Sequence, residues 1–123
     1  MVKEDNNIKK ILIAEDDYII TKLIQTIIEM LGHRVIAMVD TGEEAIKHTC
    51  ELQPDAVFMD ITMEYRTAGI DACKSIKKKF PEIKVFFLTA YSKDVFEEEL
   101  ADVQYDGYID KMNFENTVKE LLS

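Results

Sequence analysis

Ile11-Leu12-Ile13-Ala14-Glu15-Asp16-Asp17 is the stretch from which the fold can be read outward. Four apolar residues in unbroken succession stop abruptly at three acids. A solid apolar run this short suits a strand buried on both faces of a parallel sheet; a strand with one wet face would alternate. Comparable runs recur at Val35 to Val39, Ala56 to Met59, Val85 to Leu88 and, more weakly, Tyr108-Ile109.

Between these runs the apolar spacing becomes helical. Ile20, Ile24, Ile27 and Leu31 repeat at intervals of four, three and four, and Gly32 follows as a C-terminal cap. Thr41 and Glu44 form a capping-box pattern that opens a helix through about Leu52, which Pro54 stops. Ile70, Cys73, Ile76 and Phe80 line a third helix ended by Pro81, with Lys77, Lys78 and Lys79 complementing the dipole of its last turn. A fourth helix is predicted after Ser92, with Phe96, Leu100 and Val103 inward. A fifth is predicted from Asn113, carrying Val118, Leu121 and Leu122. Strand and helix thus alternate five times. The pattern predicts an α/β fold: a doubly wound, five-stranded parallel sheet in the order 2-1-3-4-5, flanked by five helices, with its ligand site at the carboxyl ends of the strands.

Composition narrows the function. The 123 residues suit one domain, with 47% hydrophobic and 32% charged residues. Fifteen Lys and Arg against 24 Asp and Glu leave a formal charge of −9, which would repel a phosphate backbone, so direct nucleic-acid binding is not expected. Cys50 and Cys73 lie in helix-like segments without metal-ligand neighbours and read as buried thiols of a reducing compartment. Met1 to Lys10 is polar and mixed in charge, unlike a signal peptide, and no apolar run approaches the ~20 residues of a membrane helix. The expectation is a soluble cytoplasmic domain over residues 9–123 behind a polar extension over residues 1–8.

The strand ends carry the chemistry. Glu15, Asp16 and Asp17 follow the first strand, Asp60 the third, Thr89-Ala90 the fourth, and Lys111 lies just beyond the fifth. In the predicted order these four strands are neighbours, so the groups should converge. Clustered carboxylates need a counter-charge, and hard oxygen ligands suit Mg²⁺. A lysine and a threonine hydroxyl supply the positive charge and the donor that a phosphoryl group requires. Phosphoryl transfer onto a carboxylate is the chemistry implied. Taken singly, each piece has an ordinary structural reading: Asp17 as a helix N-cap, Asp60 as a turn residue, Thr89 as a β-branched strand residue. His33, in the turn after the first helix, and His48, in mid-helix, read as surface or packing residues.

From about Lys10 to Leu122 the chain resembles the receiver domain of two-component response regulators. The resemblance rests on Glu15-Asp16-Asp17, on Pro54-Asp55-Ala56-Val57-Phe58-Met59-Asp60-Ile61-Thr62-Met63, on Phe87-Leu88-Thr89-Ala90 and on Gly107-Tyr108-Ile109-Asp110-Lys111, in order and at family-like spacing. It implies that Asp60 is the phosphoacceptor, attacking a phosphohistidine of a sensor histidine kinase or histidine phosphotransfer protein. It further implies a Mg²⁺ (or Mn²⁺) ion bound by Asp16, Asp60 and the backbone carbonyl of Thr62, with Glu15 acting mostly through water. Lys111, Thr89 and the Ala90 amide would bind the phosphoryl oxygens, and Thr89 and Tyr108 would form the switch. Tyr91 would stand at the rim, and an output partner would dock on the face of the fourth helix, fifth strand and fifth helix. That face carries Glu97, Glu98, Glu99, Asp102 and Asp106, which predicts a basic partner or a basic rim.

Three departures from the family pattern stand out. Glu64 follows Met63 where proline is usual, and the loop through Gly69 is one residue longer than its commonest form. The lost proline should loosen the approach to the third helix, and Glu64 should add negative charge near the site. Met112 replaces the proline after the site lysine, so the Lys111–Met112 bond is expected to be trans. Rival readings fit less well. A haloacid-dehalogenase-like phosphatase needs a second aspartate where Thr62 stands. A flavodoxin-like cofactor binder would not place three acids in its first loop. A pseudo-receiver would not keep Asp16, Asp60, Thr89 and Lys111 together. The chain holds no room for an effector domain, so it is either a stand-alone switch, not a metabolite-converting enzyme, or a piece of a longer regulator.

Overall fold

The structure, a computed structural model, describes residues 8–122; positions 1–7 of the expected N-terminal extension lie outside the described residues. Five parallel strands, β1 (Lys10–Ala14), β2 (Arg34–Val39), β3 (Ala56–Met59), β4 (Lys84–Thr89) and β5 (Gly107–Asp110), form one sheet in the order β2-β1-β3-β4-β5. Three of the four solid apolar runs became the three central strands, buried on both sides. The fourth, Val35 to Val39, and the weaker Tyr108-Ile109 took the edges, where burial is only partial.

The pleat sends alternate side chains into two cores. Leu12, Ala14, Val57, Met59, Val85 and Phe87 pack beneath Ala45 of α2 (Gly42–Leu52), Ile70, Cys73 and Ile76 of α3 (Ala68–Lys79), and Leu100 of α4 (Glu97–Leu100). Ile11, Ile13, Phe58, Phe86 and Leu88 meet Ile24 and Ile28 of α1 (Tyr18–Met30) and Val118 of α5 (Phe114–Leu122). No helix among the described residues is long and apolar enough to cross a membrane.

Helix ends follow local chemistry with three exceptions. Asp17 caps α1, its carboxylate accepting from the N–H groups of Ile19 (2.9 Å) and Ile20 (3.2 Å), and Gly32 takes the left-handed conformation after α1 (φ 89°). The expected capping box at α2 is half present. Thr41 Oγ1 accepts from the Glu44 N–H at 3.0 Å, but the Glu44 carboxylate turns to His48 Nδ1 at 3.3 Å. Gln53, not a glycine, provides the left-handed end of α2 (φ 46°) just before Pro54. The expected fourth helix shrinks to a 3-10 turn over Lys93–Phe96 and the single turn of α4. Phe96 and Leu100 are its buried anchors, and Val103 lies beyond the helix, partly buried. With so little apolar surface to bury, a longer helix would lack the packing that makes short helices stable.

One further expectation is corrected: Cys50 is half-buried, whereas Cys73 is buried as expected. His33 packs: its Nδ1 accepts from the Lys9 N–H at 3.0 Å, so Nε2 carries the hydrogen donated to the Leu122 carbonyl at 2.8 Å. All described peptide bonds are trans, Lys111–Met112 included.

Asp106 fastens the opposite end of the sheet. It accepts from the Val85 N–H at 2.8 Å and pairs with Lys77 (2.6 Å) and Lys84 (3.8 Å). Burial pushes its carboxyl up, but Lys77 and the Val85 N–H outweigh burial and hold it below its usual value. The stabilisation is therefore present above the unfolded carboxylate pKa and is lost as pH falls through the lower folded value. Asp106→Asn should cost about 1–2 kcal/mol at neutral pH, with the gap to wild type closing as the medium is acidified below the ordinary carboxylate range. Urea melts at the two pH values measure this. In α2, Thr49 is fully buried and its hydroxyl has no hydrogen-bond partner among the described residues. Thr49→Val keeps the shape and removes that group, so it should be neutral or stabilising by up to about 1 kcal/mol in the same assay.

Candidate functional site

Strand ends position the acids through the ladder itself. The Asp60 N–H donates to the Ala14 carbonyl (2.8 Å) and the Glu15 N–H to the Val39 carbonyl (2.9 Å), extending the sheet one residue past β3 and β1. Both acids therefore leave rigid backbone. Lys111, in a short 3-10 turn after β5, places Nζ 2.8 Å from Glu15 Oε1 and 3.1 Å from Asp60 Oδ2. The Asp17 N–H donates to the second Glu15 oxygen at 2.9 Å, and the Ile61 N–H to Asp60 Oδ1 at 2.8 Å.

Glu15 and Asp60 are only 3% and 6% exposed, while Asp16 is open to solvent. Burial pushes the Glu15 carboxyl up to about 7, against the pull of Lys111 and the Asp17 N–H. Burial also raises Asp60, again opposed by Lys111. Burial alone would lower Lys111, but Glu15 and Asp60 reverse this and raise it. Two carboxyls held above their usual range around one ammonium mark a site short of positive charge. Glu15, Asp16 and Asp60 each offer a carboxylate oxygen within 4.8 Å of the others, a hard-oxygen set that fits a divalent cation such as Mg²⁺.

Across the site, Thr89 is buried at the end of β4 and its Oγ1 accepts from the Tyr91 N–H at 3.1 Å. Ala90 and Tyr91 are exposed, and the Tyr91 ring meets Phe96 edge-on at 5.8 Å. Tyr108 is half-buried against Phe87 and Tyr105, and its hydroxyl donates to the Tyr91 carbonyl at 2.9 Å. Burial raises its phenol above the usual value, with the Thr89 hydroxyl acting the other way. The predicted residues thus fall in two contact groups at the carboxyl ends of the strands: Glu15, Asp16, Asp60 and Lys111 in one, Thr89, Tyr91 and Tyr108 in the other.

The loop from Asp60 to Thr67 holds what sequence reasoning missed. Glu64 does not crowd the acids: its carboxylate turns to the start of α2, accepting from the N–H groups of Gly42 (2.8 Å) and Glu43 (3.1 Å). Burial raises the Glu64 carboxyl, but these N–H groups outweigh it and leave the carboxyl below its usual value. Arg66 reaches the other way, to Glu99 Oε2 (2.6 Å) and the Val95 carbonyl (3.2 Å), with its guanidinium 4.8 Å from the centre of the Phe96 ring. Neither contact has a local signature, since the partners lie 21–22 and 29–33 residues away. Gly69 has a legible reason: a Cβ there would lie 1.9 Å from the Asp60 carbonyl oxygen, so only glycine lets α3 start so close to the acid.

Known proteins share this fold and sequence. The family described as response regulator receiver domain matches residues 11–123. Response regulator GacA of Pseudomonas syringae is 32% identical over 83% of this chain and 48% of its own length, and response regulator protein VraR of Staphylococcus aureus is 38% identical over 69% of this chain and 38% of its own. The chain thus spans about half or less of the length of these curated relatives. Among solved structures, the N-terminal domain of a response regulator/sensory box/GGDEF 3-domain protein from Carboxydothermus hydrogenoformans is 30% identical, with TM-score 0.81, over 93% of this chain and 90% of that one. A LuxR-family DNA-binding response regulator from Staphylococcus aureus superposes with TM-score 0.82 at 26% identity, over 92% of this chain and 94% of that one. In strand order and sequence, this chain belongs to the response regulator receiver domain family.

Proposed function

We propose that Asp60 accepts a phosphoryl group from a phosphohistidine on a sensor kinase or phosphotransfer protein, making the domain a phosphorylation-driven switch. One observation carries this reading: a buried carboxylate, Asp60, is held by Lys111 beside Glu15 and Asp16. In the transfer an Asp60 oxygen forms the new bond to phosphorus while the phosphorus–nitrogen bond breaks and the imidazole leaves. Asp16, Asp60, the Thr62 carbonyl and, through water, Glu15 would hold Mg²⁺, which neutralises charge on the phosphoryl oxygens. Lys111, beside Asp60 at 3.1 Å, supplies a second positive charge, and the Thr89 hydroxyl and Ala90 amide would donate hydrogen bonds. Tyr18 and Ile19 on α1 and Met112 beside Lys111 are exposed apolar residues next in sequence to the site, and they give an incoming protein a surface on which to seat.

The output runs through Thr89. Drawn toward a phosphoryl group, its hydroxyl would give up the Tyr91 N–H and disturb the Tyr91–Tyr108 hydrogen bond, reshaping the face of α4, β5 and α5. That face is less free in charge than its composition suggests: Glu99 is paired with Arg66, Asp102 with Lys74 and Asp106 with Lys77 and Lys84. Glu97 and Glu98 are the exposed acids left to meet a basic partner. The domain converts no outside metabolite and works in the cytoplasm.

Asp60→Asn should abolish the acid-stable, base-labile mark left by acetyl phosphate and Mg²⁺. Mass spectrometry decides, and undiminished labelling at another residue would overturn the assignment. A second expectation concerns pH. With Glu15 raised from 4.5 to about 7, the folded protein holds more protons than the unfolded chain in that interval. The associated stability is complete below 4.5 and is lost as pH rises through about 7. Metal-free Glu15→Gln should therefore gain in melting temperature relative to wild type as pH rises across this window. Added Mg²⁺ should return stability to the wild type most strongly at the upper end. A gap between the two proteins that does not change with pH would refute this.

A further inference from the structure

The start of α2 leaves the N–H groups of Gly42, Glu43 and Glu44 without intrahelical partners, as every helix does. Thr41 satisfies the third, and Glu64 satisfies the first two with one oxygen each, so its carboxylate is fixed in position and in orientation. The platform it grips is firm. A Cβ on Gly42 would lie 2.7 Å from the Ala68 carbonyl oxygen, so the first turns of α2 and α3 pack backbone to backbone. On the far side of the loop, Arg66 is tied to Glu99, Val95 and Phe96. Between these fastenings the Thr62 hydroxyl donates to the Arg66 carbonyl at 2.7 Å, the Ile61 carbonyl accepts from the Gly69 N–H at 2.7 Å, and the Ile61 N–H holds Asp60.

We propose that Glu64 is a positioning residue for phosphorylation: by gripping the start of α2 it fixes the loop so that the Thr62 carbonyl presents itself beside Asp60. The proposal rests on the reading of Asp60 as the phosphoacceptor. A proline at this position would restrain the chain through its ring, fixing φ locally. Glu64 obtains the restraint from a neighbouring helix instead, and so joins the loop to α2. The charge of Glu64 is not what matters to the site, because its carboxylate is spent on the two N–H groups and is directed at the helix rather than at Asp60.

The test uses the full chain, Mg²⁺ titration followed by calorimetry, and Asp60 labelling by acetyl phosphate. Glu64→Ala should weaken Mg²⁺ binding about tenfold, the size typical of losing a residue that orients a metal ligand. It should slow labelling at limiting Mg²⁺ while leaving the rate at saturating Mg²⁺ near wild type. Glu64→Pro cannot cap α2 but stiffens the loop, so it should recover most of the Mg²⁺ affinity while keeping the lowered melting temperature of a lost cap. Glu43→Gln removes a neighbouring charge and should leave Mg²⁺ affinity within about twofold of wild type. If Glu64→Ala lowers only the melting temperature, Glu64 is a helix cap and nothing more. If Glu43→Gln weakens Mg²⁺ as much as Glu64→Ala does, the effect is charge and not position; either result overturns the proposal. The Mg²⁺ titration reads Glu64 whether or not Asp60 is labelled, so a wild type that binds Mg²⁺ but takes no label would count against the phosphoacceptor reading alone.

Discussion

Lys111 is held between Glu15 and Asp60 at 2.8 and 3.1 Å, and the two acids follow directly on the buried apolar runs over residues 11–14 and 56–59. Two carboxylates so placed could not both ionise without a cation between them. The lysine comes from beyond β5, the last strand and an edge, whereas the acids come from β1 and β3 at the centre. The charge cluster therefore closes only when the sheet is complete. This makes the site a reporter of the whole topology, and it also explains why the site remains incomplete electrostatically: one ammonium against Glu15, Asp16 and Asp60 leaves net negative charge for a divalent cation to neutralise.

What the sequence revealed and what it concealed divide along the range of the interactions. Strand identity followed from unbroken apolar runs, helix faces from their spacing, and the site from what stands after each strand, because each of these depends on residues close in sequence and on a topology with few alternatives. Concealed were the partners fixed by tertiary contact. Glu44 looked like half of a capping box, yet its carboxylate belongs to His48, and Glu64 joins Thr41 in capping the helix. The segment after Ser92 has the spacing of a helix, but with Phe96 and Leu100 as its buried residues it forms barely more than one turn. Arg66 gave no signal at all, since a lone arginine in a loop predicts no partner.

The loop between β3 and α3 shows how a family constraint can be met by different chemistry. Chain stiffness from proline acts on a single dihedral and involves no neighbour. A carboxylate across two helix N–H groups gives comparable restraint and brings coupling with it, because the helix and the loop must then move together. The same loop grips the segment after β4 through Arg66, so the backbone next to Asp60 is connected both to α2 and to the segment that carries α4, in the same layer as α3.

That second connection bears on where a phosphorylation signal can emerge. The segment from Tyr91 to Val103 has few buried anchors and short-range i to i+3 hydrogen bonds, the features of a region that opens at low free-energy cost. It is held in place from the side of the site: by Tyr91 through the Thr89 hydroxyl and Tyr108, and by Phe96 and Glu99 through Arg66. A marginal element whose supports are Thr89, Tyr108 and Arg66 is well suited to have two arrangements, because a small change at the supports outweighs its own weak preference. A long, well-packed fourth helix would resist the same perturbation. On the proposed role of Asp60, the shortness of α4 is thus part of how a change at one carboxylate would become visible on the surface.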